Sequence, residues 1–146
     1  EALGLKSNFT ILDTDDQKKL IKKICEAENI DAKKISPQFI ISFIDNWKNK
    51  GLMYEDVKVK KGNPPENQIL KVYSIYQKKT QDLNAMDFGD LILFTVKLFE
   101  NNNDIAEIYR KNFKYILVDE YQDTNFIQNK WLNLLVNEKK KYLLCR

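Results

Sequence analysis

A short apolar run that stops at two adjacent carboxylates constrains this chain more than any other feature. Tyr115-Ile116-Leu117-Val118 is followed directly by Asp119 and Glu120. Such a run, bounded by polar residues, reads as a fully buried strand of the parallel-sheet kind. Open α/β sheets gather their ligands at the C-terminal ends of the strands, which is where the two carboxylates stand. Hydrolysis of a phosphoanhydride needs a cation to neutralise the β- and γ-oxygens and a group to orient and deprotonate water. A strand ending in Asp-Glu supplies side chains for both tasks. Taken alone, the same dipeptide also reads as a solvated acidic turn.

The residues that follow separate the two readings. Asp119-Glu120-Tyr121-Gln122-Asp123-Thr124 resembles the Walker B element (motif II) of superfamily 1 DNA helicases of the UvrD/Rep type. Upstream, Asn84-Ala85-Met86-Asp87-Phe88-Gly89-Asp90-Leu91-Ile92 is similar to that family's Ala-Leu-Asp-Phe-Asp-Asp-Leu-Leu segment, with Gly89 where an acidic residue is common. The stretch from Asn8 to Gln17 resembles the point where these helicases leave their first RecA-like domain. Order and spacing agree, so the likeness runs from about Leu3 to Leu144.

The resemblance implies a fold and a division of the chain. The expected fold is mostly α, a helical bundle-like subdomain followed by a partial α/β (RecA-like) βαβ fragment. Residues 1–12 would be the tail of the RecA-like ATPase domain, 13–86 a helical insertion subdomain, and 87–146 a partial return to the ATPase domain carrying Walker B. Neither a Gly-x-x-x-x-Gly-Lys-Ser/Thr phosphate loop nor the family's Gly-Asp-x-x-Gln element is present, and there are just four glycines. The chain is therefore expected to be a piece of a helicase, starting at Glu1 inside a longer protein and inactive as an ATPase by itself. For the parent, the resemblance implies ATP and Mg²⁺ as cofactors, and single-stranded and duplex DNA as partners beside the rest of the helicase chain. It also implies 3′→5′ strand separation in repair or replication, and a cytoplasmic location without membrane contact.

Within that frame, Asp119 is placed to hold Mg²⁺ through a water, since Mg²⁺ dehydrates reluctantly. Glu120 is the candidate base, and both carboxylates would face the nucleotide. Two anions this close repel unless a cation lies between them, which is a reason to expect metal. Gln122, with a donor and an acceptor, suits sensing a phosphate or coupling it to a neighbouring segment. Asp123 suits that task or, better, N-capping of the following helix. Tyr121 reads as core.

Composition narrows the class. The chain has 146 residues, 43% of them hydrophobic, enough for one core-forming domain or slightly more. No apolar stretch approaches membrane length. Histidine is absent, which removes His-based triads and the common zinc sites. Two cysteines, Cys25 and Cys145, read as free core thiols. A net charge of +3 permits nucleic-acid binding without requiring it.

Elsewhere the dominant period is helical. Thr14-Asp15-Asp16-Gln17 reads as a capping box before an apolar face of Leu20, Ile21, Ile24 and Cys25. Ser36-Pro37 opens a helix whose face is Ile40, Phe43, Ile44 and Trp47, stopped by Gly51. The longest helix is expected over about 66–83 after a turn-rich segment at 58–65. Asp87 should cap a helix to about Glu100, and Asp104 a short one. Strands are expected at 115–118 and 141–145, with a helix over 125–136 between them.

Lysines recur in pairs, and each pair alone reads as a solvated face. Trp47-Lys48-Asn49-Lys50 is the better candidate for nucleic acid, with two cations and an amide at a helix end beside Gly51. Trp47 completes an apolar face and reads as core, which leaves Lys48, Asn49 and Lys50 as the expected DNA contacts. The Lys58–Lys61 loop is a second, weaker candidate. Two other functions stay open at this stage. One is a non-enzymatic helical nucleic-acid-binding module, which leaves the Asp-Glu-x-Gln-Asp string unexplained. The other is the helicase part of a helicase–nuclease subunit, which shares the ATPase motifs.

Overall fold

The computed structural model describes residues 6–31, 33–59 and 64–136, and the backbone of 142–144. In chain order the elements are β1 (Thr10–Leu12), α1 (Thr14–Ala27), α2 (Pro37–Asn49), α3 (Pro64–Asp82), β2 (Ala85–Asp87), α4 (Phe88–Asn101), α5 (Asn103–Asn112), β3 (Ile116–Val118), a 3₁₀ turn (Tyr121–Asp123), α6 (Phe126–Leu135) and β4 (Tyr142–Leu144). The architecture is mostly α with a partial α/β unit at the end, as the resemblance implies.

Local chemistry sets the helix ends. The Ser36 hydroxyl accepts the Phe39 N–H at 3.2 Å and Pro37 takes the first position of α2. Helix α2 closes as a Schellman motif: Leu52 N–H donates to Trp47 C=O (3.0 Å), Gly51 N–H to Lys48 C=O (2.8 Å), and Gly51 has φ +76°. Asp87 and Asp90 cap α4 reciprocally, each carboxylate accepting the other residue's N–H, at 2.8 and 3.3 Å. Three expected caps move. Asp13, not Thr14, caps α1, its carboxylate accepting Asp16 N–H at 2.8 Å. Asn102 holds the cap position of α5, leaving Asp104 in the first turn. Asn125, not Asp123, caps α6, because the 3₁₀ turn spends Asp123 before the helix begins.

Helices α1, α2 and α3 enclose the first core, in which Ile21, Ile24, Ile40, Ile44, Ile69 and Val72 are buried. Trp47 lies in it, 5% exposed and stacked on Tyr73 with ring centroids 5.9 Å apart. Burying an aliphatic side chain of this size contributes about 1.5–3 kcal/mol. A second core joins α4 to α6 through Leu93, Val96 and Ile127, and a third joins α4, α5 and α6 through Phe99, Ala106 and Leu135. Trp131 packs against both. Cys25 is free and buried, and burial pushes its thiol up; Cys145, Lys60 and Lys61 lie outside the described residues.

Two parallel strand pairs organise the backbone. β1 pairs with β2 in the register Thr10↔Ala85, Ile11↔Met86, Leu12↔Asp87. This pair was not legible in the sequence, because three residues are too few to show an alternation. It brings together the two ends of the segment holding α1–α3, so those helices form an excursion that leaves and re-enters at one place. β3 pairs with β4 (Ile116↔Tyr142 to Val118↔Leu144) and α6 crosses between them, the expected βαβ unit.

The expectation of a fully buried strand at 115–118 does not hold. Val118 is 8% exposed, but Leu117 is 71% and Tyr115 81% exposed. Side chains alternate across a strand, and among the described residues only the Ile116/Val118 face of β3 is covered. No helix among the described residues is long and apolar enough to cross a membrane.

Candidate active site and its supporting joint

The acidic turn begins where β3 ends. Asp119 and Glu120 are both exposed. Asp119 Oδ1 accepts the Glu120 N–H at 3.0 Å. Glu120 adopts the left-handed conformation, φ 49° and ψ 43°, which costs a non-glycine residue roughly 1–2 kcal/mol. The bend turns the chain at once into the 3₁₀ turn, with Asp123 N–H donating to Glu120 C=O at 2.9 Å. Gln122 Nε2 donates to Glu120 Oε2, so the amide sits directly on the carboxylate. Asp123 is exposed.

Tyr121 ties this turn to the next helix. Its ring is half-buried and its hydroxyl accepts Asn129 Nδ2 at 2.8 Å, one turn into α6. It is part of the packing, although it lies in a turn and not in strand geometry. At the start of α6, Asn125 Oδ1 accepts Gln128 N–H and Gln128 Oε1 accepts Asn125 N–H, both at 2.9 Å. A recess of about 370 Å³ runs along this flank, lined by Thr124, Asn125, Phe126, Asn129, Lys130 and Asn133. A second recess, about 420 Å³, lies between α3, α4 and the Met53–Asp56 loop and contains neither carboxylate of the turn.

Of the three residues expected to touch DNA, Lys48 is misassigned. Its side chain is 0% exposed and its Nζ lies 2.5 Å from Asp87 Oδ2 and 2.7 Å from Asp90 Oδ1. A cation enclosed in this way cannot meet a phosphate. Tyr76 OH donates to Asp87 Oδ2 at 2.9 Å and Gln77 Nε2 to Asp90 Oδ1 at 3.1 Å. The Tyr76 and Tyr73 rings add cation–π contacts, with Nζ 5.2 and 5.7 Å from their centroids. The signal was present in the sequence, since Lys48 lies four residues after Ile44 and so on the buried stripe of α2.

Two carboxylates share one ammonium in this cluster. Burial pushes the Asp87 carboxyl up, but attraction to Lys48 and hydrogen bonds from Lys48, the Asp90 N–H and Tyr76 outweigh it and hold the group below the usual carboxylate range. For Asp90 burial prevails: Lys48 attracts it, Asp87 repels it, and it stays above that range. Half-buried Asp45 is also raised, by burial first and then by Asp87. Gly89 is explained here as well. A Cβ on it would come within 3.0 Å of Lys48 Cδ and 3.2 Å of Asp87 Oδ1, so an unsubstituted backbone leaves room for the lysine stem.

Asn49 and Lys50 are exposed. Asn49 Oδ1 accepts Asn125 Nδ2 at 2.9 Å, which joins the end of α2 to the cap of α6. Lys50 has no ion pair among the described residues and alone of the three keeps a free ammonium at the surface. No group of three metal-ligating His, Cys, Asp or Glu side chains occurs among the described residues. The exposed Asp119–Glu120 pair nonetheless suits Mg²⁺, which in nucleotide sites is held by one or two carboxylates together with waters and substrate phosphates.

The backbone makes a helical excursion that re-enters through β2, followed by a βαβ unit whose first strand ends in Asp-Glu. Comparison with known proteins places it: residues 1–145 match the UvrD/REP helicase N-terminal domain, and the chain belongs to that family. It is similar to a probable DNA helicase II homolog of Rickettsia conorii, 43% identical over 136 residues, 92% of this chain and 21% of the relative. It is similar also to the ATP-dependent DNA helicase PcrA of Staphylococcus epidermidis, 40% identical over 145 residues, 99% of this chain and 20% of that protein. DNA helicase II of Rickettsia typhi is 40% identical over 137 residues, covering 92% and 21%. The chain thus spans about a fifth of the length of these relatives.

Proposed function

We propose that this chain is the Walker B-bearing part of an ATP-dependent DNA helicase that couples ATP hydrolysis to 3′→5′ strand separation in cytoplasmic repair or replication. The observation that carries the reading is the acidic turn. Asp119 and Glu120 project from the C-terminal end of a parallel strand, and Gln122 is bonded to the Glu120 carboxylate. Asp119 would hold Mg²⁺ through a water, and the ion would supply neutralisation of the β- and γ-phosphate charge. Glu120 accepts the proton of the attacking water. Gln122, donating to Glu120, orients that carboxylate and places an amide beside the phosphate region. Residues 13–86 act as the helical insertion, and 1–12 with 87–146 as parts of the RecA-like ATPase domain; the β1–β2 pairing at the two crossings supports this division. Lys50 contributes a phosphate contact to single-stranded or duplex DNA. The isolated chain, without a phosphate loop, has no ATPase activity of its own.

The test is Glu120→Gln in the full-length protein. The amide keeps the shape and removes the base, so ATP binding should persist while DNA-stimulated turnover falls by about 10²–10⁴-fold. Asp119→Asn should instead raise the Mg²⁺ concentration needed for half-maximal rate. Near wild-type turnover by Glu120→Gln would refute the assignment.

A further inference from the structure

The segment read from sequence as a DNA contact is built as a joint between the helical excursion and the helix that follows the acidic turn. Lys48 reaches the two carboxylates that cap α4, at 2.5 and 2.7 Å. One residue on, Asn49 accepts a hydrogen bond at 2.9 Å from Asn125, the N-cap of α6. Two residues further, Gly51 packs so closely on α6 that a Cβ there would lie 3.2 Å from Ile127 Cδ1 and 3.6 Å from Phe126 Cε1. The Schellman geometry makes these contacts concerted, because its left-handed glycine fixes where the helix end points. The first turn of α6 is in turn held to the acidic turn, through Tyr121 and Asn129 at 2.8 Å. A continuous set of contacts therefore leads from α2 to the carboxylates without passing through a phosphate site.

We propose that the C-terminal end of α2 is a coupling joint, with Asn49 the positioning residue that transmits the state of the helical unit to the acidic turn through the Asn125 cap. The inference rests on the hydrolytic reading of that turn, and adds to it a route by which DNA held on the helical unit raises the rate. Coupling of this kind requires an element whose arrangement both sites bias. The Asn49–Asn125 bond is that element. It is exposed and neither residue belongs to a buried core, so it can open without unfolding either unit.

Four full-length proteins test this: wild type, Asn49→Leu, Asn49→Asp and Asn125→Ser. Serine retains the capping acceptor but has no amide to donate to Asn49. Aspartate at 49 retains the acceptor for Asn125 and would repel a phosphate. The readouts are ATP turnover with and without a single-stranded oligonucleotide, KM for ATP, and amide hydrogen exchange over residues 119–125. Losing one such bond should lower DNA-stimulated turnover about two- to tenfold in Asn49→Leu and Asn125→Ser. Basal turnover and KM should stay unchanged, exchange over 119–125 should rise, and Asn49→Asp should behave as wild type.

An Asn49→Asp protein as impaired as Asn49→Leu would overturn the joint and return Asn49 to the DNA surface. Equal loss of basal and stimulated turnover with unaltered exchange would overturn it too, as a merely structural effect. If the wild type hydrolyses no ATP, the hydrolytic reading fails and exchange decides the joint alone. A rise in Asn49→Leu but not in Asn49→Asp supports it, and no rise overturns it.

Discussion

Replacing Lys48 by methionine separates a buried ion cluster from a nucleic-acid contact. Methionine keeps an apolar stem of similar length and removes the ammonium that lies over the Tyr73 and Tyr76 rings. Asp87 and Asp90, both fully buried, then face each other without a cation. Removing one partner of a buried ion pair costs about 3–5 kcal/mol, because the remaining charge is left unpaired in a poor solvent. Losing the two cation–π contacts adds to this, so we expect destabilisation near the upper end of that range at neutral pH.

The pH dependence has a definite sign. In the wild type, the lowered Asp87 contributes stability that is present above the ordinary carboxylate range and lost as pH falls through its depressed value. The raised Asp90 opposes this, costing stability as pH rises through its elevated value. Without Lys48 both carboxyls should titrate high, so the variant loses stability as pH rises. The gap to wild type should then widen from pH 5 to pH 8, by at most about 1.4 kcal/mol per pH unit for each titrating carboxyl. Urea denaturation at several pH values measures it. A Lys48→Met protein within about 0.5 kcal/mol of wild type, but weakened in DNA binding, would refute the buried-cluster reasoning.

Three further outcomes are expected. Trp47→Ala should destabilise by roughly 3–5 kcal/mol in chemical denaturation, since it removes a core ring stacked on Tyr73; a stable variant that had lost single-strand binding would move Trp47 to the DNA surface. Gly51→Ala should destabilise by about 1–2 kcal/mol, because its φ of +76° disfavours any side chain and the new methyl crowds Ile127; a more stable variant would contradict the close approach. Lys50→Ala should weaken DNA binding equally on unrelated sequences and flatten log K against log salt by about 0.9 on duplex or 0.7 on single strands; an unchanged slope would leave Lys50 without a phosphate contact.

Elements whose signal is local were legible in the sequence. Ser36-Pro37 and Asp87 cap helices because a cap depends on a few consecutive residues. The long apolar periods of α1–α4 stand out over several turns. The βαβ unit showed itself as an apolar run, a helical run and a second apolar run. The acidic turn was readable because Asp119, Glu120 and Gln122 fall within one short string.

Tertiary structure alone decided what depends on partners distant in the chain. The β1–β2 pair exists because Asn84 C=O receives Thr10 N–H at 3.0 Å, a contact between segments with no local strand pattern. The exposure of Leu117 is set by what covers the other face of β3, which its own period cannot report. Lys48 is the sharpest case. A lysine at a helix end looks solvated, and it is buried here because the fold delivers Asp87, Asp90 and Tyr76 to the same point. A buried charge is tolerated only where its counter-charges converge, and convergence across 39 and 42 residues of chain belongs to the fold.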